Sequence, residues 1–289
     1  MRRFAYERPE TLAEAIRLLA EAGADARILA GGTDLVVGLR GGSIQPAVVV
    51  DLKRVREFVG ESIVRDGDII RLGALATMSQ VEHSALVLAE LPALAEAARV
   101  VGSVQIRNRA TLAGNICNGS PAADTVPPLL IYGAMAVVTG PDGERKVPID
   151  DFIVGPKKVD LRRGELLSAI EVLIPAPDFG AAYTRLVRRR GTDLASVTMC
   201  ASVNGVGVTR LAYGSVGPRA FLVSDETGVL ADPDAAPDAR AAVLEELLSQ
   251  ATPSPRSIRA SPDYRLAMLR VLAMRAVETA LARRCGSAA

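Results

Sequence analysis

The sequence contains no tryptophan, and its five tyrosines and five phenylalanines amount to an aromatic share of 3%. A platform on which nucleobases stack needs aromatic faces, so that mode of binding is not expected. Charge of one sign is also missing: Lys+Arg 34 against Asp+Glu 33 leaves a net charge of +1. Nothing steers such a chain toward nucleic acid or an anionic bilayer. Histidine occurs once, as His83 in an apparently helical run over 79–88. It reads as an ordinary surface or core residue, and it leaves a Ser-His-Asp triad without support. The three cysteines, Cys117, Cys200 and Cys285, are odd in number, widely separated and without C-x-x-C spacing. That describes a reducing compartment rather than a disulfide framework, and too few ligands for zinc or an iron–sulfur cluster held by this chain. No apolar run approaches the length of a membrane span. The N-terminal M-R-R-F-A-Y-E-R-P has no apolar segment behind its charges, so no secretory signal is expected and a cytoplasmic location is. There is no G-x-x-x-x-G-K-[ST] loop, no G-x-S-x-G elbow and no G-x-G-x-x-G fingerprint.

What is present is an ordinary globular composition, 49% hydrophobic and 23% charged over 289 residues, long enough for two domains. Thr11-Leu-Ala-Glu14 reads as a capping box opening a helix with Leu12, Ile16 and Leu19 on its apolar face and Gly23 at its end. Strands are predicted over 27–30, 48–52, 63–65, 69–72, 135–139 and 167–174, with a hairpin across Asp66-Gly67-Asp68 and a turn at Pro141-Asp142-Gly143. Helices are predicted over 77–88 and 91–101. Pro175-Ala-Pro177 marks a domain boundary. Beyond it, 183–188, 196–203, 206–213 and 219–223 suggest a small antiparallel sheet turning at Asn204-Gly205. Helices follow over 235–249 and 262–284, the last with Ser261 as N-cap and Pro262 at its first position. The class is α+β, with no internal repeat.

The stretch Ile106–Leu130, I-R-N-R-A-T-L-A-G-N-I-C-N-G-S-P-A-A-D-T-V-P-P-L-L, organises the rest. Ala113, Gly114 and Gly119 let a backbone approach a neighbour closely. Thr111, Asn115, Asn118 and Ser120 supply neutral hydrogen-bonding groups, and Asp124 adds one acceptor. This composition suits an extended, partly buried ligand with phosphates and hydroxyls; it equally suits a long connection rich in turn residues. A second loop at the end of a strand, Leu29, Ala30, Gly31, Gly32, Thr33, Asp34 and Leu35, favours the ligand, because glycine-containing turns offer N–H groups to anions. A dinucleotide-like cofactor fits such a pair of loops better than a small metabolite.

A-G-G-T-D-L (30–35) and T-L-A-G-N-I-C-N-G-S-P-A-A-D (111–124) resemble the two FAD-binding signatures of the medium, flavoprotein subunit of molybdenum hydroxylases, the family of bacterial xanthine and carbon monoxide dehydrogenases. The resemblance runs on through Gly164-Glu-Leu-Leu167, the stretch from Tyr183 to Ala195, Ala212-Tyr-Gly-Ser-Val-Gly-Pro218 and Arg259-Ala-Ser-Pro-Asp-Tyr264-Arg265, so it covers essentially the whole chain in order. It implies a two-lobed FAD-binding domain of vanillyl-alcohol-oxidase (PCMH) type over 1–176, with lobes of about 1–55 and 56–176, and a C-terminal α+β domain over 177–289.

By the same resemblance, FAD lies extended between the lobes. Ala30 to Asp34 hold its pyrophosphate by main-chain amides, and Thr111, Gly114 and Asn115 close on it from the other side, with Leu29, Leu35 and Gly102 also at the cofactor. Asp124, with Ser120 close by, takes ribityl hydroxyls. Cys117 and Leu167 fall beside the flavin ring, and Arg185 stands where relatives often carry a lysine facing it, a replacement that keeps charge but changes reach. Each role has a plainer counterpart. Cys117 reads as a small buried hydrophobe, Asp34 as a cap of the next element, Arg188-Arg189-Arg190 as a solvated face or a docking surface, and Tyr264 and Arg265 as anchors of the last helix. The family's division of labour puts [2Fe–2S] clusters in a small partner subunit and the molybdopterin cofactor in a large one, in a dimer of heterotrimers delivering electrons to NAD+ or a quinone. The alternatives are a stand-alone flavin-dependent reductase on the same fold and a scaffold subunit without flavin. Thr33-Asp34 leans toward the xanthine- or heterocycle-oxidising members.

Overall fold

The computed structural model describes residues 2–60 and 62–286, and the side chain of Cys285 lies outside what it describes. The first lobe is built from β1 (Ala5–Glu7), α1 (Leu12–Ala22), β2 (Ala26–Leu29), α2 (Leu35–Gly41) and β3 (Val48–Asp51). Its three strands form a parallel sheet in the order β1-β3-β2. The central strand, V-V-V-D, is β-branched and mostly buried, as a strand covered on both faces should be. Ala15 and Leu19 of α1 pack there with Val50, Leu52 and Val55. The Thr11 hydroxyl accepts the Glu14 N–H at 3.2 Å, but the Glu14 carboxylate returns to the Glu10 N–H at 3.0 Å, so only half of the expected capping box forms. The Glu57 carboxylate claims the Leu12 N–H instead. Helix α2 is absent from the sequence reading, because two glycines and a Val-Val pair conceal its single turn-to-core residue, Leu39.

The second lobe comprises β4 (Ile63–Asp66), β5 (Ile69–Gly73), α3 (Met78–His83), α4 (Ala85–Glu90), α5 (Pro92–Arg99), α6 (Val104–Arg107), α7 (Leu112–Cys117), α8 (Val126–Ile131), β6 (Met135–Gly140), β7 (Gly143–Pro148), α9 (Ile149–Phe152) and β8 (Leu166–Leu173). The strands make an antiparallel sheet in the order β4-β5-β8-β6-β7. Ile70, Leu72, Val138 and Ile170 of the sheet share one core with Leu94, Leu112, Ile116, Leu129 and Ile131 of the helices. The helix expected over 77–88 divides at Ser84, whose backbone is extended and whose hydroxyl caps α4 by accepting the Val87 N–H. His83 is exposed on α3. Strand β7, G-E-R-K-V-P, escapes the sequence pattern because it is an exposed edge strand with charged residues, as edges commonly are.

The remaining elements are β9 (Gly180–Leu186), β10 (Val197–Val203), β11 (Thr209–Gly214), β12 (Phe221–Asp225), α10 (Pro237–Leu247) and α11 (Pro262–Gly286). The four strands form an antiparallel meander, order β12-β11-β10-β9. The expected tight turn at Asn204-Gly205 is a longer loop: the Asn204 side chain accepts the Val208 N–H, and Val206 is at the tip, 85% exposed, not in a strand. Residues alternate between faces. Ala181, Tyr183, Cys200 and Ala212 point into the core of the second lobe, while Ala182, Met199, Leu211 and Tyr213 pack against Leu269, Leu272, Ala273, Ala276 and Ala280 of α11. No helix among the described residues is long and apolar enough to cross a membrane.

Edge strand β9 is tied down on its open side. Glu96 of α5 accepts the Tyr183 N–H at 2.9 Å and pairs with Arg283 of α11, which also donates to the Ala181 carbonyl at 2.6 Å. Gly180 lets α11 lie directly on the strand, since a Cβ there would run into the Ala280 carbonyl and lie 2.6 Å from the Arg284 nitrogen. Gly180→Ala is expected to lower stability by about 1–3 kcal/mol, the usual cost of overpacking, read as a urea midpoint shift at unchanged slope.

A second tie joins β7 to the segment before β8: Arg145 forks onto Glu165 at 2.8 and 2.7 Å and reaches Asp160 at 2.8 Å. The Arg145 hydrogen bonds hold the Glu165 carboxyl below its ordinary range against the opposing effect of burial. A depressed folded-state value means stability that is present above the unfolded-state value and lost as pH falls through the folded one. Glu165→Gln should therefore be less stable than the parent chain at about pH 7, and the gap should close as pH falls through the depressed folded-state value of Glu165, as thermal melts across pH will show.

Candidate cofactor-binding site

The two small-residue loops meet. Gly31, just after β2, lies against the backbone of Arg109 and Ala110: a Cβ on it would strike the Arg109 carbonyl and come within 3.0 Å of the Ala110 Cα. The second loop is held in place from behind. The Met78 N–H donates to the Ala110 carbonyl at 2.8 Å, and the Leu112 N–H to the Ala76 carbonyl at 2.8 Å. The lobes thus touch backbone to backbone, at a spacing only glycine permits.

Between them is a set of donors with nothing to donate to. The N–H groups of Gly31, Gly32, Thr33 and Asp34 have no acceptor among the described residues, whereas the Gly32 and Asp34 carbonyls already serve the first turns of α2. The loop carries no basic side chain, so whatever it holds is met by neutral amides. Asp34 occupies the N-cap position of α2 but makes no side-chain cap bond. Leu29 to Thr33 are half-buried and Asp34 is exposed. Across the junction, Thr111 caps α7 by accepting the Gly114 N–H at 3.1 Å, so that amide is already taken. The Thr125 hydroxyl donates to Asn115 Oδ1 at 2.7 Å, which leaves the Asn115 NH2 without a protein acceptor among the described residues. Gly102 precedes α6 at φ 56°, where the Ile106 side chain closes over it.

Farther along, Ser120 forms the turn that presents Asp124: its hydroxyl accepts the Ala122 N–H and its carbonyl the Ala123 N–H. Asp124 is buried and doubly claimed. Tyr183 donates its hydroxyl at 2.6 Å, and the Arg185 guanidinium reaches both oxygens at 3.2 Å. Both partners are on β9, two residues apart and therefore on one face. Burial raises the Asp124 carboxyl above its ordinary value, and the Arg185 charge and the Tyr183 hydrogen bond work against that rise. The Tyr183 phenol is pushed well up by burial and by the adjacent carboxylate. The 120–124 turn is fixed to the C-terminal sheet by the Ser215 N–H, which donates to the Pro121 carbonyl at 2.8 Å. Gly214 makes room for it: a Cβ there would lie 2.7 Å from Thr198 Oγ1 and 3.0 Å from that carbonyl. The hydroxyls of Thr198 and Ser215 are buried without a partner among the described residues. Thr198 stands between Arg185 and Gly214 in the strand register.

Cys117, the last residue of α7, packs against the second-lobe core, and burial pushes its thiol up to about 12, far from a reactive thiolate. Leu167 of β8 is buried in the same core. Arg188 is forked onto Asp193 at 3.1 Å, closing the loop after β9, and Arg189 donates to the Thr192 carbonyl. Tyr183, Thr125 and Glu96 are additions to the sequence reading. The period-2 spacing from Arg185 could have pointed to Tyr183; the other two come from distant elements and left no signal.

The unclaimed amides and the Asn115 NH2 fit a diphosphate, and the buried hydroxyls beside Arg185 fit a polar ring edge, so the residues suit an extended dinucleotide. A separate cavity of about 240 Å³, lined by Leu12, Phe58, Arg71, Leu75 and Ser168 among others, opens elsewhere on the seam between the lobes and includes none of these groups.

Residues 2–177 match the family described as the FAD binding domain in molybdopterin dehydrogenase, and residues 181–280 the CO dehydrogenase flavoprotein C-terminal domain. The chain is 33% identical over 282 residues to the xanthine dehydrogenase FAD-binding subunit of Escherichia coli O157:H7, covering 96% of each. It is also 33% identical over 284 residues to the carbon monoxide dehydrogenase medium chain of Hydrogenophaga pseudoflava, covering 97% of this chain and 98% of the relative. Among solved structures, carbon monoxide dehydrogenase from H. pseudoflava matches with a TM-score of 0.89 at 32% identity over 98% of both chains. Quinoline 2-oxidoreductase from Pseudomonas putida 86 matches at 0.86 and 28%, over 97% of this chain and 99% of that one. The chain therefore belongs to the FAD-binding subunits of the molybdopterin dehydrogenases, and is an oxidoreductase subunit with an α+β fold.

Proposed function

We propose that this chain carries FAD between its two lobes and relays electrons from the [2Fe–2S] clusters of a small partner subunit to NAD+ or a quinone, in a cytoplasmic dimer of heterotrimers whose large subunit holds the molybdopterin cofactor. The observation that carries the reading is the junction at Gly31, where four unclaimed amides face a second small-residue loop. FAD, when bound, supplies a centre that takes electrons singly and releases them to a two-electron acceptor. The chain's own residues bind and orient it. The amides of Gly31 to Asp34 and the Asn115 NH2 take the diphosphate, with Leu29, Ala30 and Leu35 shaping the loop. Thr111 and Gly114 close on the diphosphate from the other side, with the Gly114 N–H held by the Thr111 hydroxyl at the start of α7. Asp124, on its Ser120 turn, is the acceptor for ribityl hydroxyls. Arg185, held by Asp124, keeps a fixed cation at the ring, where it favours added negative charge. Gly102, Cys117 and Leu167 are assigned to the walls. We further place the domain division at 176/177, with lobes of about 1–55 and 56–176; the two family matches, ending at 177 and beginning at 181, support it.

Asn115→Asp tests the diphosphate assignment cleanly, because a carboxylate oxygen still accepts the Thr125 hydroxyl while the donors are lost. FAD affinity should fall about 10–100-fold, the worth of charged hydrogen bonds, measured by flavin fluorescence titration with folding checked by circular dichroism. Unchanged affinity would remove the assignment, and a folded wild-type chain that stays colourless with FAD would overturn the reading itself. Purification at native expression level is expected to bring down larger and smaller partners with molybdenum and iron; a flavin-loaded chain that reduces substrate alone would favour the stand-alone reductase.

A further inference from the structure

The buried cluster at Asp124 is a chain of contacts in which each group holds the next. The Glu96 carboxylate accepts the Tyr183 N–H at 2.9 Å and is itself paired with Arg283 of α11, so the backbone beneath the phenol is fixed. The Tyr183 hydroxyl donates to Asp124 Oδ1 at 2.6 Å, the shortest bond that carboxylate accepts among the described residues. Arg185 then reaches both Asp124 oxygens from one nitrogen, Nη1, each at 3.2 Å. An ionised carboxylate offers about four lone-pair sites. Oδ1 is therefore filled by Tyr183 and Arg185, and one site on Oδ2 stays open. The other N–H groups of Arg185 have no acceptor among the described residues. Tyr183 is level with Cys200 in the sheet, and Arg185 with Thr198, whose buried hydroxyl has no partner among the described residues. Behind Tyr183 stand the remaining titratable groups: Cys200 of β10, Glu96 of α5, Arg283 of α11 and Tyr132, just after α8. Burial drives the Asp124 carboxyl toward its neutral form, and the Arg185 charge and the Tyr183 hydrogen bond oppose it.

We propose that Tyr183 is a positioning residue for electron transfer: its hydroxyl keeps Asp124 the anionic partner of Arg185, and so limits how strongly that cation draws electrons onto the flavin. The inference rests on the flavin reading above and adds to it the device that sets the potential. The physics is one of charge balance. With Asp124 ionised, the pair beside the ring sums to zero, and added negative charge there gains little from it. With Asp124 neutral, Arg185 stands as a full cation in a setting of low dielectric, where it favours that charge strongly. A buried carboxylate with one hydrogen bond fewer shifts toward its neutral form. Tyr183 therefore acts on the ring through Asp124.

Tyr183→Phe keeps the ring and removes only the hydroxyl. In the full chain with FAD bound, a redox-dye titration should show the reduced form favoured about tenfold more than in the parent, the worth of one hydrogen bond to a charged group. For a two-electron couple that is a rise of about 30 mV. Asp124→Asn, measured at saturating FAD, should raise the potential at least as far, and adding Tyr183→Phe to it should change nothing further. In the flavin-free chain, the infrared carboxyl band that Asp124→Asn removes should appear at higher pH in Tyr183→Phe than in the parent, because the lost hydrogen bond had favoured the charged form. A merely structural tyrosine would move the melting temperature and leave the potential and that titration where they are. An unmoved potential in Tyr183→Phe or in Asp124→Asn, or a Tyr183→Phe shift that survives in the Asp124→Asn chain, overturns the proposal. FAD bound at an unmoved potential sinks this inference alone, whereas a folded parent chain that takes up no FAD sinks the flavin reading and this inference with it.

Discussion

The contact on which the architecture turns is the approach of Gly31 to the Arg109–Ala110 backbone. A side chain at 31 would part the lobes by the width of a methyl group, and the peptide dipoles of the two loops would no longer share one space. The contact is rigid on both sides. Behind Gly31 is a buried parallel sheet, and behind Ala110 and Leu112 are two backbone hydrogen bonds to the 76–78 segment, where Thr77 opens α3 with a complete capping box. Such a junction cannot adjust by side-chain rotation. What it offers a ligand is fixed before the ligand arrives, which is the condition under which neutral amides bind a diphosphate well without opposing charges.

The second centre follows a different physical logic. Asp124 is a carboxylate taken out of water, and burial alone would drive it toward the neutral form. Arg185 and Tyr183 counter this, and in doing so they join the second lobe to the C-terminal sheet through a single side chain. Glu96 adds the complement from the other side by claiming the Tyr183 N–H, so Tyr183 is fixed at both its backbone and its hydroxyl. The cluster is closed to protein partners on one side and bordered on the other by hydroxyls without any, those of Thr198 and Ser215. Unsatisfied buried groups are rare in folded chains, and their place beside a charged cluster supports the proposal that a ligand approaches from that side.

Much of this was legible in the residues. Long apolar runs and glycine turns gave most of the strands to within three positions, because burial patterns of period 2 and 3.6 are properties of the local chain. Two of the misses share a cause. Strand β7 and helix α2 have little hydrophobic signal of their own and exist because a neighbour supplies the pairing or the cover. Helix 77–88 divides at Ser84 because one hydroxyl satisfies a new helix start, a choice settled by local hydrogen bonding and not by periodicity. Of the site, the two loops were readable as small-residue segments. That Gly114 spends its N–H on Thr111, or that Asp124 faces Arg185 across 61 residues of sequence, depends on which atoms the fold brings together.

The C-terminal sheet shows why the two family-sized segments act as one body. Its strands alternate small and large residues so that one face, Ala181, Cys200 and Ala212, completes the core of the second lobe, while the other receives α11. A sheet that shares its core with a neighbour cannot shift without exposing both. Displacing β9 by a single residue would turn Tyr183 and Arg185 to the α11 face and leave Asp124 buried with no counter-charge. The apolar packing of Leu269, Leu272 and Ala276 thereby sets the register on which the charged cluster depends, and the long helix at the end of the chain supports that cluster through β9.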